Sequence, residues 1–417
     1  MTEKAGDFYT IDDFDLEGKT VLLRVDINSP LDPDSKQILD DYRIKSHLTT
    51  IKELLDTRLV IVAHQSRPGK SDFTTLEPHA QRLSRLLGKK IEYVDGLFDK
   101  RVLAKIKEMK KGDILMLENA RLFAEETYLK GVEDLDKQRN THIVQNLAPE
   151  IEVHVHDAFA AAHRAQPTLV GFSIEIPSVA GKIMESELEN LGKVFTMEDR
   201  PKTAFLGGIK ADDSLDVAKH MLEGGYIDKI LTGGVLANIF LMADGNNLGE
   251  GNRNFLKNEF DDHEKLLKKA KDLLESWDGK IKMPIDVVLN KDGERSGRPL
   301  DKLPAEYPIF DIGLDTIMEY KKHIEGSSLV VLNGPAGAFE IENFEIGTRE
   351  IFKAIAESDS YSIIGGGHST AVIESLGLNK EIDHISTGGG SCINFLAGKD
   401  LSGVEALRRS KEKFEED

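Results

Sequence analysis

Short apolar runs alternate with longer segments of helical period along most of the chain. The runs are rich in Val, Ile and Leu, which is typical of strands buried under helices on both faces of a parallel sheet. The first part has such runs at residues 21–25, 59–63, 114–117 and 153–155, and the second part has them at 203–206, 229–231, 286–289, 329–332, 362–364 and 384–385. The pattern predicts an α/β fold with two doubly wound, Rossmann-like parallel-sheet domains.

One amphipathic helix is predicted between the two halves. Pro177 and Pro201 bracket a segment in which apolar residues recur every three or four positions. We therefore expect a first domain over residues 1–180 and a second over 181–397, with 181–198 as the linking helix and 398–417 packed near the first domain. This arrangement predicts a cleft between the domains.

The composition excludes several classes of function. Among 417 residues, 73 acidic and 54 basic side chains give a net charge of −19, which argues against nucleic acid and anionic membranes as partners. The single cysteine, Cys392, is expected in the core and favours a reducing compartment. The chain begins without a signal-peptide pattern and has no apolar run of about 18 residues, so we expect a cytoplasmic protein.

Glycine-bearing turns follow the predicted strands of the second half. Ligands of open α/β sheets bind at the carboxyl ends of the strands, where glycine lets backbone N–H groups approach a phosphate closely. A single glycine pair is explained by tight packing alone, but five such turns predict a nucleotide site. They contain Gly207, Gly208, Gly233, Gly234, Gly334, Gly337 and the glycines of 365–367 and 388–390. Neither a Walker A loop nor a dinucleotide fingerprint is present.

Polar and basic side chains follow the predicted strands of the first half instead. Arginine suits bidentate contacts with phosphate or carboxylate, and four arginines with three histidines at one sheet edge predict a site for a small anion. The residues at this edge are Asp26, Asn28, Arg43, His64, Arg67, Asn119, Arg121, His156, Asp157, His163 and Arg164. His154 and His156 share one face of a strand, but no further ligand with zinc-like spacing accompanies them, so a metal site is disfavoured.

The two halves together predict phosphoryl transfer between a nucleotide and a small anion across the cleft. Such a reaction needs alignment and charge neutralisation above all. Lys210, just beyond Gly208, is suited to neutralise a phosphoryl group. An alcohol acceptor would require a general base, whereas a carboxylate acceptor is already ionised.

Several longer segments carry a family resemblance. They are RVDINSPL at 24–31, HQSRP at 64–68, LENAR at 117–121, DAF at 157–159 with AHRA at 162–165, LGGIK at 206–210, NGPAGAFE at 333–340, IGGG at 364–367 and STGGG at 386–390. In this order, across residues from about 20 to 407, they resemble phosphoglycerate kinase, and the variant set is similar to the archaeal branch.

The resemblance implies a reversible transfer of the acyl phosphate of 1,3-bisphosphoglycerate to MgADP, which gives 3-phosphoglycerate and ATP in glycolysis and gluconeogenesis. It implies in-line transfer without a general base in a closing cleft, by a monomer. Arg43 and Lys210 would be catalytic. The residues that would hold phosphoglycerate are Asp26, Ile27, Asn28, Arg43, His64, Gln65, Ser66, Arg67, Arg121 and Arg164. Those that would hold the nucleotide are Gly207, Gly208, Lys210, Gly233, Gly234, Asn333, Glu340, Gly365, Gly366, Gly367, His368 and Ser369.

Two positions depart from the family pattern. His368 stands where an Asp of the magnesium site is usual, and Ser214 stands where a second lysine is usual. Magnesium prefers oxygen ligands, so no protein ligand is assigned and Mg²⁺ is expected to be held by the phosphates of ATP or ADP. Two alternatives stay open: a kinase that phosphorylates a different small carboxylate, and a hinged small-molecule binding protein.

Overall fold

The computed structural model describes residues 7–415, apart from the side chain of His368. This part of the chain forms two compact units. The first unit comprises the described residues up to Glu189 and those from Asp400 onward, and the second unit comprises Asn190–Lys399. No helix among the described residues is long and apolar enough to cross a membrane.

The strands of both units form three sheets. The strands are β1 (Thr20–Arg24), β2 (Arg58–Val62), β3 (Glu92–Tyr93), β4 (Ile114–Met116), β5 (Val153–His156), β6 (Ser178–Ala180), β7 (Lys202–Leu206), β8 (Lys229–Thr232), β9 (Ile281–Lys282), β10 (Asp286–Lys291), β11 (Glu294–Pro299), β12 (Ile309–Ile312), β13 (Leu329–Asn333), β14 (Tyr361–Gly365) and β15 (His384–Ile385). The first unit has a parallel sheet in the order β3-β4-β2-β1-β5-β6, and the second has one in the order β15-β14-β13-β7-β8-β9. The predicted pair of doubly wound parallel sheets is confirmed.

One predicted strand lies elsewhere. The run at 286–289 becomes β10 of a separate antiparallel sheet in the order β11-β10-β12, so its expected place in the parallel sheet is wrong. The physical reason is that a strand covered on both faces has a continuous apolar run whichever direction its neighbours take.

Helices cover the sheets and begin and end at recognisable signals. Asp99 caps α4 by accepting hydrogen bonds from the Arg101 and Val102 amides, and Gly88 ends α3 with a left-handed φ of 66°. The helices are α1 (Tyr42–Ser46), α2 (Leu48–Glu53), α3 (Glu77–Leu87), α4 (Lys100–Glu108), α5 (Ala124–Tyr128), α6 (Leu135–Arg139), α7 (His142–Leu147), α8 (Lys182–Thr196), α9 (Ala211–Glu223), α10 (Gly234–Ala243), α11 (Glu250–Glu259), α12 (His263–Ser276), α13 (Leu314–Glu325), α14 (Ile346–Ala356), α15 (Gly367–Leu376), α16 (Gly390–Leu396) and α17 (Ser402–Phe414).

The core of the first unit lies on both faces of its sheet. Val21 and Leu23 of β1 point into one apolar cluster, and Leu22 points into the other. Successive side chains of a strand alternate between faces, so a strand with two buried faces is apolar throughout. The register pairs Arg24 of β1 with Val62 of β2 and His156 of β5. The carboxyl ends of these three strands therefore meet at one edge.

The single amphipathic helix predicted before Pro201 is present as α8. The division between the units falls within it, between Glu189 and Asn190. The last helix, α17, belongs to the first unit and contacts β6.

Candidate functional sites

Hydrogen bonds tie together the loops that follow β1, β2 and β4 in the first unit. The Ser66 amide donates to Asn28 Oδ1 at 2.7 Å, and the Gln65 amide donates to Asn119 Oδ1 at 3.2 Å. Ser66 has a φ of 54°, a left-handed conformation that is uncommon outside glycine and asparagine. Strained backbone of this kind is frequent at functional sites. The residues predicted after these strands are thus brought to one place.

Asp26 and Arg43 form an ion pair at this edge. Arg43 Nη1 lies 3.0 Å from Asp26 Oδ2, and the Asp26 side chain is almost entirely buried. Burial alone would raise the pKa of Asp26, but the charges of Arg43 and Arg24 hold that pKa well below its usual range. Asp26 is therefore an ionised hydrogen-bond acceptor at neutral pH.

Arg24, a residue that the sequence analysis did not assign to the site, lies directly behind His64. The Arg24 side chain is fully buried. It donates from Nε to Thr168 Oγ1 at 2.9 Å, from Nη1 to the Val25 carbonyl, and from Nη2 to His64 Nδ1 at 2.9 Å. The sequence did contain a signal for Arg24, because Arg24 is the first residue of the segment RVDINSPL that carries the family resemblance.

This contact fixes the protonation state of His64. A guanidinium only donates hydrogen bonds, so His64 Nδ1 must accept and the ring proton must reside on Nε2. Burial and the nearby Arg24 charge hold the pKa of His64 well below its usual value. His64 therefore contributes a neutral N–H donor to the edge.

Several cations face one another at the same edge. Burial and the charge of Arg164 lower the pKa of Arg121 to about 10. Arg121 Nη1 donates to the Ser66 carbonyl, and Arg164 Nε donates to His163 Nε2 at 3.0 Å. Arg67 forms no ion pair within residues 7–415. Asp26 and Glu126 offset part of this positive charge, but neither Arg121 nor Arg164 forms a direct ion pair among the described residues. Cations held this close favour an anionic ligand.

Lys130 is a further member of this cluster that the sequence analysis missed. Its pKa is lowered by partial burial and by the charges of Arg164, Arg121 and Arg67. The Gly131 amide donates to the Ala165 carbonyl at 2.8 Å, which ties the turn that carries Lys130 to the Arg164 segment. No motif marks Lys130, because it follows a short helix rather than a strand.

His154 and His156 of β5 are fully buried and packed against neighbouring elements. A Cβ atom placed on Gly403 would lie 2.5 Å from His156 Nε2, so α17 covers this histidine closely. His154 Nδ1 contacts Ser178 Oγ at 3.0 Å. The described residues contain no group of three or more His, Cys, Asp or Glu side chains that could hold a metal ion.

In the second unit the glycine turns pack against one another. A Cβ atom on Gly207 would lie 2.2 Å from the Pro335 carbonyl oxygen, and one on Gly234 would lie 2.6 Å from the Gly208 amide nitrogen. Gly208, Gly234 and Gly334 also have left-handed φ values of 77°, 56° and 90°. These turns require glycine for their own packing, in addition to any approach to a ligand.

A cavity of about 320 Å³ opens beside these turns. Gly208, Gly234 and Gly337 contribute to its wall, and exposed Glu340 lies at its rim. The rest of the wall is mostly apolar and comes from α10, α11, β12 and the segment after β13. Of the predicted nucleotide residues, Gly208, Gly234 and Glu340 line this cavity, while Gly207, Gly233, Lys210, Asn333, Gly365, Gly366, Gly367 and Ser369 do not.

The residues outside the cavity wall lie at the ends of neighbouring strands. Lys210 is exposed and occupies the N-cap position of α9. Ser369 Oγ accepts a hydrogen bond from the Gly334 amide at 3.2 Å, which joins the turn after β13 to the start of α15. Ser214 is fully buried, and its Oγ has no hydrogen-bond partner within the described chain. The side chain of His368 lies outside the described residues.

The chain that carries the cation cluster of Arg67, Arg121, Arg164 and Lys130 and the glycine-walled cavity is similar to known proteins. A family model described as phosphoglycerate kinase matches residues 11–399. The chain belongs to the phosphoglycerate kinase family. The phosphoglycerate kinase of Methanobacterium bryantii is 49% identical over 408 residues, which is 97% of this chain and 98% of that protein. The phosphoglycerate kinase of Thermoplasma volcanium is 46% identical and covers 98% of this chain and 99% of its own length.

Solved phosphoglycerate kinases share the fold. The crystal structure of the enzyme from Pyrococcus horikoshii OT3 has a TM-score of 0.89 and 40% identity, over 97% of this chain and 100% of that one. The enzyme from Coxiella burnetii has a TM-score of 0.78 and 29% identity, over 96% and 98%. The resemblance to the archaeal branch of the phosphoglycerate kinases is confirmed by these relatives.

Membership of the phosphoglycerate kinase family establishes the activity. The chain is a kinase that reversibly transfers a phosphoryl group between 1,3-bisphosphoglycerate and ADP, giving 3-phosphoglycerate and ATP, a reaction of glycolysis. The acceptor in the reverse direction is a carboxylate, so the reaction needs no general base. The two alternative functions, a kinase for another carboxylate and a hinged binding protein, are excluded.

Proposed function

We propose that the first unit binds phosphoglycerate at its cation cluster and that the second unit binds the nucleotide at its glycine-walled cavity. The observation that carries this proposal is the group of Arg67, Arg121, Arg164 and Lys130, whose charges act on one another and which form no direct ion pair with an acid among the described residues. A phosphate carries the complementary charge and geometry for such a group.

In this proposal the remaining polar residues orient the glycerate part of the ligand. Ionised Asp26 accepts a hydrogen bond from the ligand hydroxyl, and the neutral His64 donates from Nε2. Gln65 and Asn28 hold the two loops in place through the hydrogen bonds described above, with Ile27 buried beneath them. Asn28 therefore acts chiefly by positioning the Ser66 backbone.

Arg43 has a different role in the proposal. It is about one-third exposed, so its guanidinium retains donors beyond those directed at Asp26. We infer that these donors stabilise the charge that develops on the transferring phosphoryl group, which is where preorganised donors accelerate transfer most. The attacking carboxylate is ionised at neutral pH, so no side chain has to remove a proton.

On the nucleotide side, the apolar wall of the cavity would hold the base and Glu340 at the rim would accept hydrogen bonds from the ribose hydroxyls. Lys210, with the turns of Gly207, Gly233, Asn333 and 365–369, would lie at the phosphates. Backbone N–H groups at helix starts suit phosphate oxygens. Mg²⁺ enters as part of the nucleotide substrate and neutralises phosphate charge when bound.

We also propose a monomeric, cytoplasmic enzyme. Cys392 is buried and forms no disulfide, in keeping with a reducing compartment. Gel filtration at assay concentration tests the oligomeric state directly.

A coupled assay of 3-phosphoglycerate with MgATP, repeated with GTP, tests the assignment of ligands to units. Arg121→Ala and Arg164→Ala should raise the KM for 3-phosphoglycerate by about tenfold or more and leave the KM for ATP unchanged. Val235→Trp, which fills the cavity, should do the reverse. If either substitution moved only the other substrate's KM, the assignment would be wrong.

A further inference from the structure

Asn238 is a polar side chain in the wall of the apolar cavity, and it has no hydrogen-bond partner among the described residues. It lies on α10, one turn after Gly234 and on the same face, and it lines the cavity together with Gly234 and Val235. Only 8% of its surface is exposed. No hydrogen bond from its carboxamide to another described residue is present.

The other polar side chains of the wall are already engaged. Asn252 Nδ2 donates to the Leu248 carbonyl at 2.7 Å, and its Oδ1 accepts from the Ile309 amide at 2.9 Å. Asp311 Oδ2 lies 2.9 Å from Arg295 Nη1 and 2.8 Å from the Gly347 amide, and its Oδ1 accepts from the Ile312 amide at 2.9 Å. Glu340 lies at the exposed rim. Asn238 is therefore the one buried polar side chain of the described wall whose donor and acceptor atoms are both without a hydrogen bond to the protein.

The amide nitrogen and oxygen of Asn238 are not among the fully enclosed polar atoms of the described residues, so they remain accessible in the cavity wall. Most buried polar groups in proteins are hydrogen-bonded, and a largely buried carboxamide without a protein partner is suited to pair with a ligand. A cavity that otherwise offers apolar contacts and keeps one carboxamide for its ligand is suited to a flat ring with an adjacent donor and acceptor. Adenine has this pattern, because its 6-amino group lies beside a ring nitrogen, and asparagine pairs with that edge through both ends of its amide.

We propose that Asn238 recognises the 6-amino group of the adenine base, with Oδ1 accepting from that amino group and Nδ2 donating to the adjacent ring nitrogen. This inference rests on the proposed placement of the nucleotide in the cavity. It assigns base selectivity to one helical side chain, while the glycine turns act on the phosphates. In this proposal Asn238 is a specificity-determining residue, because it contacts the base and not the phosphoryl group that is transferred.

Removing the amino group from the nucleotide tests the proposal without changing the protein. Purine riboside triphosphate differs from ATP only in lacking the 6-amino group. The wild-type enzyme should use ATP with a kcat/KM about tenfold higher, which corresponds to about 1.4 kcal/mol. Equal kcat/KM values for the two nucleotides would overturn the proposal, whatever the behaviour of any variant.

The matching protein change is Asn238→Leu, which keeps the approximate size of the side chain but removes both ends of the amide. Its KM for ATP should rise about tenfold with kcat unchanged, because an interaction removed equally from the ground state and the transition state affects KM alone. Its kcat/KM for ATP and for purine riboside triphosphate should become equal. A variant that kept the wild-type preference for ATP would contradict the proposal.

Two further variants separate this inference from the proposed function. Asn254→Leu makes the same change at an exposed position of α11 outside the cavity wall, and it should leave both nucleotides unaffected. If Val235→Trp fails to raise the KM for ATP, the placement of the nucleotide is wrong. If Val235→Trp raises that KM while Asn238→Leu keeps the wild-type discrimination, only the role of Asn238 is wrong. An unchanged KM for 3-phosphoglycerate and an unchanged circular dichroism spectrum would show that Asn238→Leu is folded.

Discussion

The two units place their candidate sites at the same point of the same kind of sheet but build them from different chemistry. The first unit presents charged side chains at its strand ends, with Arg43 on Asp26 and with Arg121 and Arg164 facing each other. The second unit presents backbone turns and a mostly apolar cavity. A small anion offers charge and little surface, whereas a nucleotide offers a large ring as well as phosphates. The same strand edge serves both because the loops, and not the sheet, supply the chemistry.

The largest expected effect comes from the first unit. Arg43→Ala should lower kcat by about 10²–10³-fold, because a donor aimed at the transferring group acts mainly in the transition state. The nucleotide KM should change little. Steady-state kinetics with both substrates varied measures this, and Arg43→Lys provides the charge-conserving control. A raised KM for 3-phosphoglycerate with unchanged kcat would show that Arg43 only binds.

Lowering the pH is expected to destabilise the first unit more than the second, because the buried histidines His79 and His154 lie in the first unit. Burial lowers the pKa of His79 to about 4, and burial and the Arg24 charge lower that of His154 to about 3. Both values lie below the 6.5 of an unfolded histidine, so stability is full above pH 6.5 and is lost as pH falls towards the folded values, since only the unfolded state takes up the proton. For His79 alone this amounts to about 3 kcal/mol.

The sole tryptophan, Trp277, lies in the second unit and provides the readout. Urea unfolding at pH 7 and pH 5 should show a large loss of stability by circular dichroism and a smaller one by Trp277 fluorescence. His79→Gln should reduce the pH dependence of the first unit. Equal losses by both probes would show that the buried histidines do not set the difference.

Nucleotide binding by the second unit should depend on the backbone conformation of its glycine turns. Gly234→Ala places a Cβ atom 2.6 Å from the Gly208 nitrogen at a φ of 56°, and we expect the KM for ATP to rise about tenfold or more. The KM for 3-phosphoglycerate should not change. Gly251→Ala, a helical position with no close neighbour, is the matched control. If both variants behaved alike, the turn would not depend on glycine.

Removing the hydrogen bond that His64 donates is expected to have a moderate effect on the KM for 3-phosphoglycerate. The amide nitrogen of glutamine can replace Nε2 of histidine, whereas that of asparagine replaces Nδ1. His64→Asn should therefore raise the KM for 3-phosphoglycerate about tenfold, while His64→Gln should stay near wild type. Initial rates of the two variants measure this, and equal KM values would contradict the assigned tautomer.

The smallest effect is expected from Lys130, which is partly exposed. Lys130→Ala should raise the KM for 3-phosphoglycerate about threefold at low ionic strength and less in high salt, because exposed charges are screened. Lys137, which pairs with Asp134 on the same unit, gives the control Lys137→Ala. A change that did not depend on salt would mean that Lys130 acts by packing.

These comparisons also show what the sequence could predict. The strands of both parallel sheets were recognisable where long apolar runs are buried on two faces. Of the short edge strands, β15 was recognised and β3, β6 and β9 were not, because strands of two or three residues give too little pattern to be recognised consistently. β11 was missed because Glu294–Pro299 has no apolar pattern at all and is held by its pairing with β10.

Site residues were predictable where a strand end placed them. Asp26, His64 and Arg121 follow strands directly, so topology alone brings them together. Lys130 reaches the cluster through a hydrogen bond between two loops, and Asn238 lies within an apolar helix. Neither position has a sequence signal, because tertiary contacts give each of them its environment.

The last helix has a consequence for how the enzyme is made. α17 covers His156 through Gly403, and the Ser178 amide of β6 donates to Ser410 Oγ at 2.7 Å. The first unit is therefore closed by a helix that follows the whole second unit along the chain. Domains generally fold in the order of their synthesis, but here the second unit is fully translated before the first has its final helix. The first unit must therefore wait, with His156 uncovered, until α17 has been translated after the second unit.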